Sequence, residues 1–314
     1  MATAAEAPAS AGGLVPHTQF QFAQAEKEAR PVRALIDGPP GSDRLISALR
    51  MASSLGDTIA VIDTERGRSR QYAGEIAFDV TEMATFDPKD LGLALYAAAS
   101  YDVVVIATWS AFWNGPDGIR DKVAQRSGTN GRDRNAGWDQ VRPLERQAFD
   151  AVHSFPGHVI GVLRNQLDVV LATDTAGRTV PTRVSMRAEQ RDGIEYEVDF
   201  CASMLPTREM VITKSPTPTL RDEVLTDPAA VGAELRKWAE DGVDRAPRAE
   251  FLHRAYDPAA TYESLSELTL EIEQCRASGM AALNHKNQLT TLGDLVSFRL
   301  SRVRRNQQAQ QGAA

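Results

Sequence analysis

Apolar residues crowd together at 32–36, 58–62, 103–106 and 158–163, each run short enough for a strand. The run at 103–106 shows no alternation, which marks a strand covered on both faces. Leu45, Ala48, Leu49, Ala52 and Leu55 recur at helical spacing. A second helix is predicted over 88–100, with Asp87 as N-cap and Pro88 at the first position. A third is predicted over 138–155, interrupted near its start by Pro143. Strands alternating with helices predict an α/β fold with a mostly parallel sheet and helices on both faces.

Residues 115–137 are rich in Gly, Asn and Arg and read as a long, mobile polar connection. The pattern alternates at 169–172 and 180–186 around Asp174-Thr175-Ala176-Gly177, which predicts a hairpin. Further strands are predicted at 195–200 and 209–213, and a helix over 228–240 that ends at Gly242. Two helical stretches, 262–276 and 281–304, flank Gly279. Their stripes, Leu265, Leu268 and Ile272 on one and Leu289, Leu292, Leu295 and Val296 on the other, are expected to bury against the parent domain. The expected organisation is a flexible leader (1–18), an α/β core (19–242), a linker (243–260), a C-terminal helical hairpin (261–305) and a flexible tail (306–314).

Composition changes this picture little. The chain has 314 residues, 42% hydrophobic and 25% charged, as in an ordinary globular protein. No apolar run is long enough to span a bilayer, and the Ala/Pro-rich start lacks a signal-peptide core, so a cytoplasmic, non-membrane protein is expected. Cys201 and Cys275 lack metal-type spacing and read as reduced thiols. A net charge of −7 argues against a uniformly basic DNA-coating surface.

The chemistry concentrates after the first strand. Gly38-Pro39-Pro40-Gly41-Ser42-Asp43-Arg44-Leu45 lies between a strand and a helix, where a phosphate loop would read Gly, four residues, then Gly-Lys-Ser/Thr. Asp43 takes the place of the glycine, Arg44 that of the lysine and Leu45 that of the Mg²⁺-ligating hydroxyl.

The stretch 20–242 resembles the phage-associated RecA-like AAA ATPases. The match runs through Phe20-Gln21-Phe22, Gly38-Pro39-Pro40-Gly41-Ser42, Ser47-Ala48-Leu49-Arg50 and Val61-Ile62-Asp63-Thr64-Glu65. It continues in Tyr101 to Ile106, Trp138 with Val141 and Pro143, His158-Val159-Ile160, Gln190 to Asp199, and Lys214-Ser215. The resemblance implies a RecA-like P-loop NTPase core in which Glu65 would activate the attacking water. It also implies a metal-holding Asp where this chain has Ala107, a γ-phosphate or neighbour contact at Arg164, and a neighbour-directed Lys214.

With lysine, hydroxyl and strand-end carboxylate all replaced, the expectation is a pseudo-ATPase with Glu65 as a relic. It would hold no metal and no cofactor, beyond weak ATP or ADP binding through Arg44 or Arg50. Asp37, Asp63 and Thr108 are the groups that could hold a displaced metal. Arg164, Arg132, Arg134, Arg178, Arg183, Arg187, Arg191 and Lys214 are candidate nucleic-acid or neighbour contacts. Trp109, Phe112 and Trp113 read first as core packing, with closure of the empty nucleotide cavity behind Trp109 as the sharper reading. The expected partners are a second copy, an active homologue or single-stranded DNA. Alternatives are a working ATPase that anneals single strands and a purely structural oligomer.

Overall fold

The computed structural model describes residues 24–127, 134–173, 179–221, 223–242, 248–286 and 288–311, with backbone alone at 134, 166–173, 179–186, 248–249 and 307–311. The first half of the chain contains β1 (Arg33–Gly38), α1 (Arg44–Leu55), β2 (Ile59–Asp63), β3 (Asp79–Glu82), α2 (Pro88–Ala97) and β4 (Val103–Ile106). Next come α3 (Ser110–Asn114), α4 (Ile119–Arg126), α5 (Arg134–Ser154), β5 (His158–Thr173) and β6 (Thr179–Ala188). The remainder comprises β7 (Phe200–Met204), β8 (Met210–Lys214), β9 (Val224–Leu225), α6 (Pro228–Glu240), α7 (Arg248–Tyr256), α8 (Tyr262–Gln274), β10 (Ala281–Leu283), β11 (Leu289–Thr291) and α9 (Leu292–Gln311).

The sheet runs β3-β2-β4-β5-β1-β7-β8-β9, with β6 paired to β5. Every pair from β3 to β7 is parallel, and β8 and β9 add antiparallel strands at one edge. Period-two geometry sorts the unbroken apolar runs onto two faces. Val103, Val105, Ile160 and Val162 join α1 and α6 in one core, while Val104, Ile106, Val159 and Leu163 join α2 and α5 in the other. Gly232 lets α6 close on α1, since a Cβ there would lie 2.1 Å from the Met51 carbonyl oxygen.

Several expectations need correcting. The segment 115–137 is not simply a loop: it contains α4, whose Ile119 and Val123 pack with Val141 of α5. Helix α5 passes through Pro143 without a break. The missing N–H would have met the Asp139 carbonyl on the exposed side, where water can serve it. Residues 158–163 and 169–172 belong to one long strand, which leaves the parallel sheet after Arg164 and pairs with β6 as the expected hairpin. Of the strand expected over 195–200, residues 195–197 belong instead to a 3₁₀ turn (Ile194–Glu197) after Gly193, and the strand begins only at Phe200.

At the C-terminus, the stretch expected as a linker carries α7, with Phe251 and Ala255 fully buried. Its stripe bonds it to α8 and α9, so Leu265, Leu268, Ile272, Leu292, Leu295 and Val296 form a core of their own. Tyr96 and Ala99 of the main domain pack against that core, and Leu289 of the expected stripe joins the main-domain core, against Gly92 of α2. Residues 281–283 and 289–291 pair as antiparallel strands rather than helix, and the backbone of α9 continues helical to Gln311, through much of the expected tail. The expected leader lies outside the described residues.

Candidate functional site

The parallel strands β1, β2, β4 and β5 all end at one rim, where ligands meet open α/β sheets. Gly38 stands opposite Arg164 across the β1–β5 pairing, and Thr64–Glu65 and Ala107–Thr108 follow the ends of β2 and β4. A cleft of about 370 Å³ opens there, walled by Gly41, Asp43, Arg44, Glu65, Arg68 and Arg164 among others.

The turn after β1 keeps a tightly curled backbone. Gly41 has φ of +81°, and Asp43 follows at φ +60°, in the left-handed region that a glycine would occupy without cost. Asp43 makes no side-chain cap to α1; its carboxylate turns aside to Arg208, 3.0 Å away. Gly38 admits no side chain, because a Cβ would meet Ser42 Oγ at 2.6 Å and Met204. Ser42 is fully buried, and its hydroxyl donates to the Pro39 carbonyl.

The next two positions do not point to metal chemistry. The Arg44 Nη1 donates to the carbonyls of Gly38 (2.9 Å) and Pro39 (2.8 Å), and its buried Nε finds no acceptor. Burial lowers the Arg44 pKa; Glu65 opposes that shift, while the positive charges of Arg164 and Arg68 add to it. Leu45 is 7% exposed and belongs to the core under α1.

The carboxylates are committed elsewhere. Asp63, fully buried, accepts from the Glu65 and Ser69 amides and the Ser69 hydroxyl, shaping the turn after β2. Thr108 donates to Glu65 at 2.8 Å. Asp37 accepts from Asn165 at 3.0 Å; burial raises its pKa, against the pull of hydrogen bonds from Asn165 and Ser203 and of Arg44. Each group expected to hold a displaced metal therefore has a structural partner. Among the described residues no group of three or more His, Cys, Asp or Glu is arranged for a metal. Arg50, read as a further phosphate contact, pairs instead with Glu75 at 2.7 Å.

Family assignment follows from this segment. A model of the AAA domain matches residues 30–220, well over half of the chain. The chain belongs to the AAA domain family. No curated protein matches it. Among solved structures, it is similar to a KaiC-like protein from the archaeon Pyrococcus horikoshii, at 11% identity and a TM-score of 0.35, covering 62% of this chain and 82% of that one. It is also similar to an ATPase from the type III secretion system of pathogenic bacteria, at 14% identity and a TM-score of 0.29, covering 94% of both chains.

In this AAA domain the remaining candidates are dispersed. Arg187 and Arg191 line a second, larger cleft of about 690 Å³ between α5 and residues 187–197, together with Trp113, Trp138 and Phe149. Lys214, expected to reach a neighbour, instead donates to the Glu195 and Val198 carbonyls and ties down the 3₁₀ turn. Arg134 and Arg183 are described by backbone alone, at the start of α5 and within β6, and Arg132 and Arg178 lie outside the described residues. Trp109 packs on Phe149, with ring centroids 5.5 Å apart, in the core on the α2/α5 side, so it does not close the cleft. Phe112 is buried with it, and Trp113 packs on Trp138.

Arg68 was not singled out from the sequence as a site residue, whereas Asn165 was read with Arg164 at the ligand edge of its strand. Arg68 follows Glu65 by three positions in a polar turn, a signal too common to mark it. Asn165 follows Arg164 at the strand end, but its bond to Asp37 depends on the parallel register of β1 and β5.

Proposed function

We propose that this AAA domain is a non-hydrolysing, RecA-like module with degenerate phosphate and metal motifs. It works as an assembly or nucleic-acid-associated subunit of a phage or mobile-element type system, by self-association or beside an active homologue. The observation that carries this reading is Leu45: the side chain in the metal-ligand position is a core residue. Ala107, likewise buried, offers no carboxylate at the end of β4, and Asp63 has its oxygens engaged by the following turn.

Phosphoryl transfer relies on positioning and charge stabilisation. Loss of each preorganised group costs about 2–4 kcal/mol, so losing three slows hydrolysis by a factor of at least about a thousand. Glu65 then serves as a hydrogen-bond acceptor for Thr108 rather than as a base with a held water to activate. A nucleic-acid role draws support from the second cleft, where the exposed Arg120, Arg142 and Arg146 border Trp113 and Trp138. Cations beside stacking rings suit single strands.

The test is an ATPase assay on the purified chain with magnesium, alongside the Glu65→Gln variant. No turnover is expected in either. Magnesium-dependent turnover that disappears in Glu65→Gln would overturn the proposal. Salt-sensitive binding of labelled single-stranded DNA, weakened by Arg146→Ala, is the corresponding expectation for the second cleft.

A further inference from the structure

The phosphate-loop cleft has lost its metal ligands, yet it has gained cations. Arg44, Arg68 and Arg164 reach it from three separate segments: the start of α1, the turn after β2 and the middle of β5. Only Glu65 stands among them. Its Oε1 lies 3.9 Å from Arg164 and its Oε2 lies 3.9 Å from Arg68, too far for hydrogen bonds. Glu65 also takes the Thr108 hydroxyl. Among the described residues, the Arg68 and Arg164 guanidiniums therefore make no side-chain hydrogen bond, although 63% and 48% of these side chains are exposed. The other carboxylates lining the cleft are held from outside it, Asp43 by Arg208 and Glu189 by Asn114.

Convergent guanidiniums with open donors are the protein surface best matched to phosphate oxygens. The buried, acceptor-less Arg44 Nε lies at the base of the same space. The amides at the start of α1 face this rim as well, and the helix dipole adds positive potential there.

The geometry points to a metal-independent polyphosphate site, in which Arg44, Arg68 and Arg164 neutralise a di- or triphosphate chain that Mg²⁺ would neutralise in a hydrolysing domain. This inference rests on the non-hydrolysing reading of the same cleft and names its ligand class: a phosphate chain, free or carried by a nucleotide. Magnesium competes with the arginines for the same oxygens, so it does not strengthen binding.

Calorimetric titration of the full chain with tripolyphosphate and with ATP, each in EDTA and in excess magnesium, tests this. Binding of at least one of the two in EDTA, no tighter with magnesium, is expected. Arg68→Ala and Arg164→Ala should each weaken it by about tenfold or more, while Arg236→Ala, whose partners Asp57 and Glu240 do not line the cleft, should leave it unchanged. Both cleft arginines are exposed enough for the variants to fold. Equal affinity for the two probes assigns the site to the phosphate chain alone, and tighter ATP binding assigns it to a nucleotide. Binding that requires magnesium, no binding of either probe, or binding indifferent to Arg68 and Arg164 would overturn the inference. Those outcomes without turnover would leave the non-hydrolysing reading standing, whereas turnover in magnesium would overturn that reading directly.

Discussion

Two arginine-rich clefts share Glu189, yet their charges are arranged oppositely. In the larger, the inner arginines are matched: Arg187 pairs with Asp192 at 3.0 Å, and Arg191 pairs with Glu197 at 2.8 Å and lies 3.7 Å from Glu145. Arg191 also covers the Phe149 ring, 5.0 Å from its centroid. In the smaller, Arg68 and Arg164 share one distant carboxylate. Arginine content alone therefore does not mark an anion site; the supply of unpaired donors does. The matched arginines hold the protein together, and the unmatched ones are open to a ligand.

The largest expected effect separates the walls of the smaller cleft. Leu45→Ala should destabilise the fold by about 2–4 kcal/mol, because Leu45 fills the core under α1. Arg164→Ala, at the opposite wall, should stay within about 0.5 kcal/mol. Denaturant unfolding of both variants checks the contrast, and an equally costly Arg164→Ala would make that arginine structural.

A pH control comes next, outside either cleft. Burial pushes the His158 pKa down to about 4, and its neutral Nδ1 accepts from the Val32 amide at 3.0 Å. The unfolded chain binds this proton below about 6.5 and the folded chain only near 4. Stability from His158 is therefore full above pH 6.5 and is lost as pH falls towards 4, by at most about 3 kcal/mol. Unfolding curves across this range should flatten in His158→Gln. An unchanged slope would exclude His158 as its source; Glu145, whose pKa burial raises although Arg191 opposes the shift, cannot supply it. Its sign is opposite: stability falls as pH rises from about 4.5 through its raised folded value.

Removing a matched arginine should cost less. Arg191→Ala gives up an ion pair and a ring contact on a partly exposed side chain, about 1–2 kcal/mol after allowance for solvent screening. Arg68→Ala should cost almost nothing by the same measurement, and equal losses would erase the distinction between the clefts. The smallest effect concerns the loop itself. Asp43→Gly relieves a left-handed aspartate at the expense of an exposed pair with Arg208, so it should be neutral or stabilise by up to about 0.5–1 kcal/mol in thermal unfolding.

Much of the core was legible because its signals are local. The helix over Pro228–Glu240 was predicted with its bounds, ending at Gly242, and the Asp87–Pro88 start of α2 was equally explicit. The runs of buried valine and isoleucine at β4 and β5 announced strands covered on both sides. The C-terminal unit was misread because 246–258 and 281–291 are polar enough to pass for linker and helix. Their apolar residues are too few to show a period, and they make sense only once α7, α8 and α9 surround a common core.

The sequence alone determined which side chains stand at the loop and the strand end, since Arg44, Leu45 and Ala107 are what they are in any conformation. It also determined that a strand, a glycine turn and a helix would surround that position, because periodicity and turn propensity act over a few residues. Only the tertiary structure decided where the freed charges go. That Lys214 holds the 3₁₀ turn, and that Arg68 and Arg164 both approach Glu65 without reaching it, depends on which strands the sheet sets side by side. Electrostatic pairing is fixed by distances across the fold, as where Arg164 of β5 comes within 3.9 Å of Glu65 after β2.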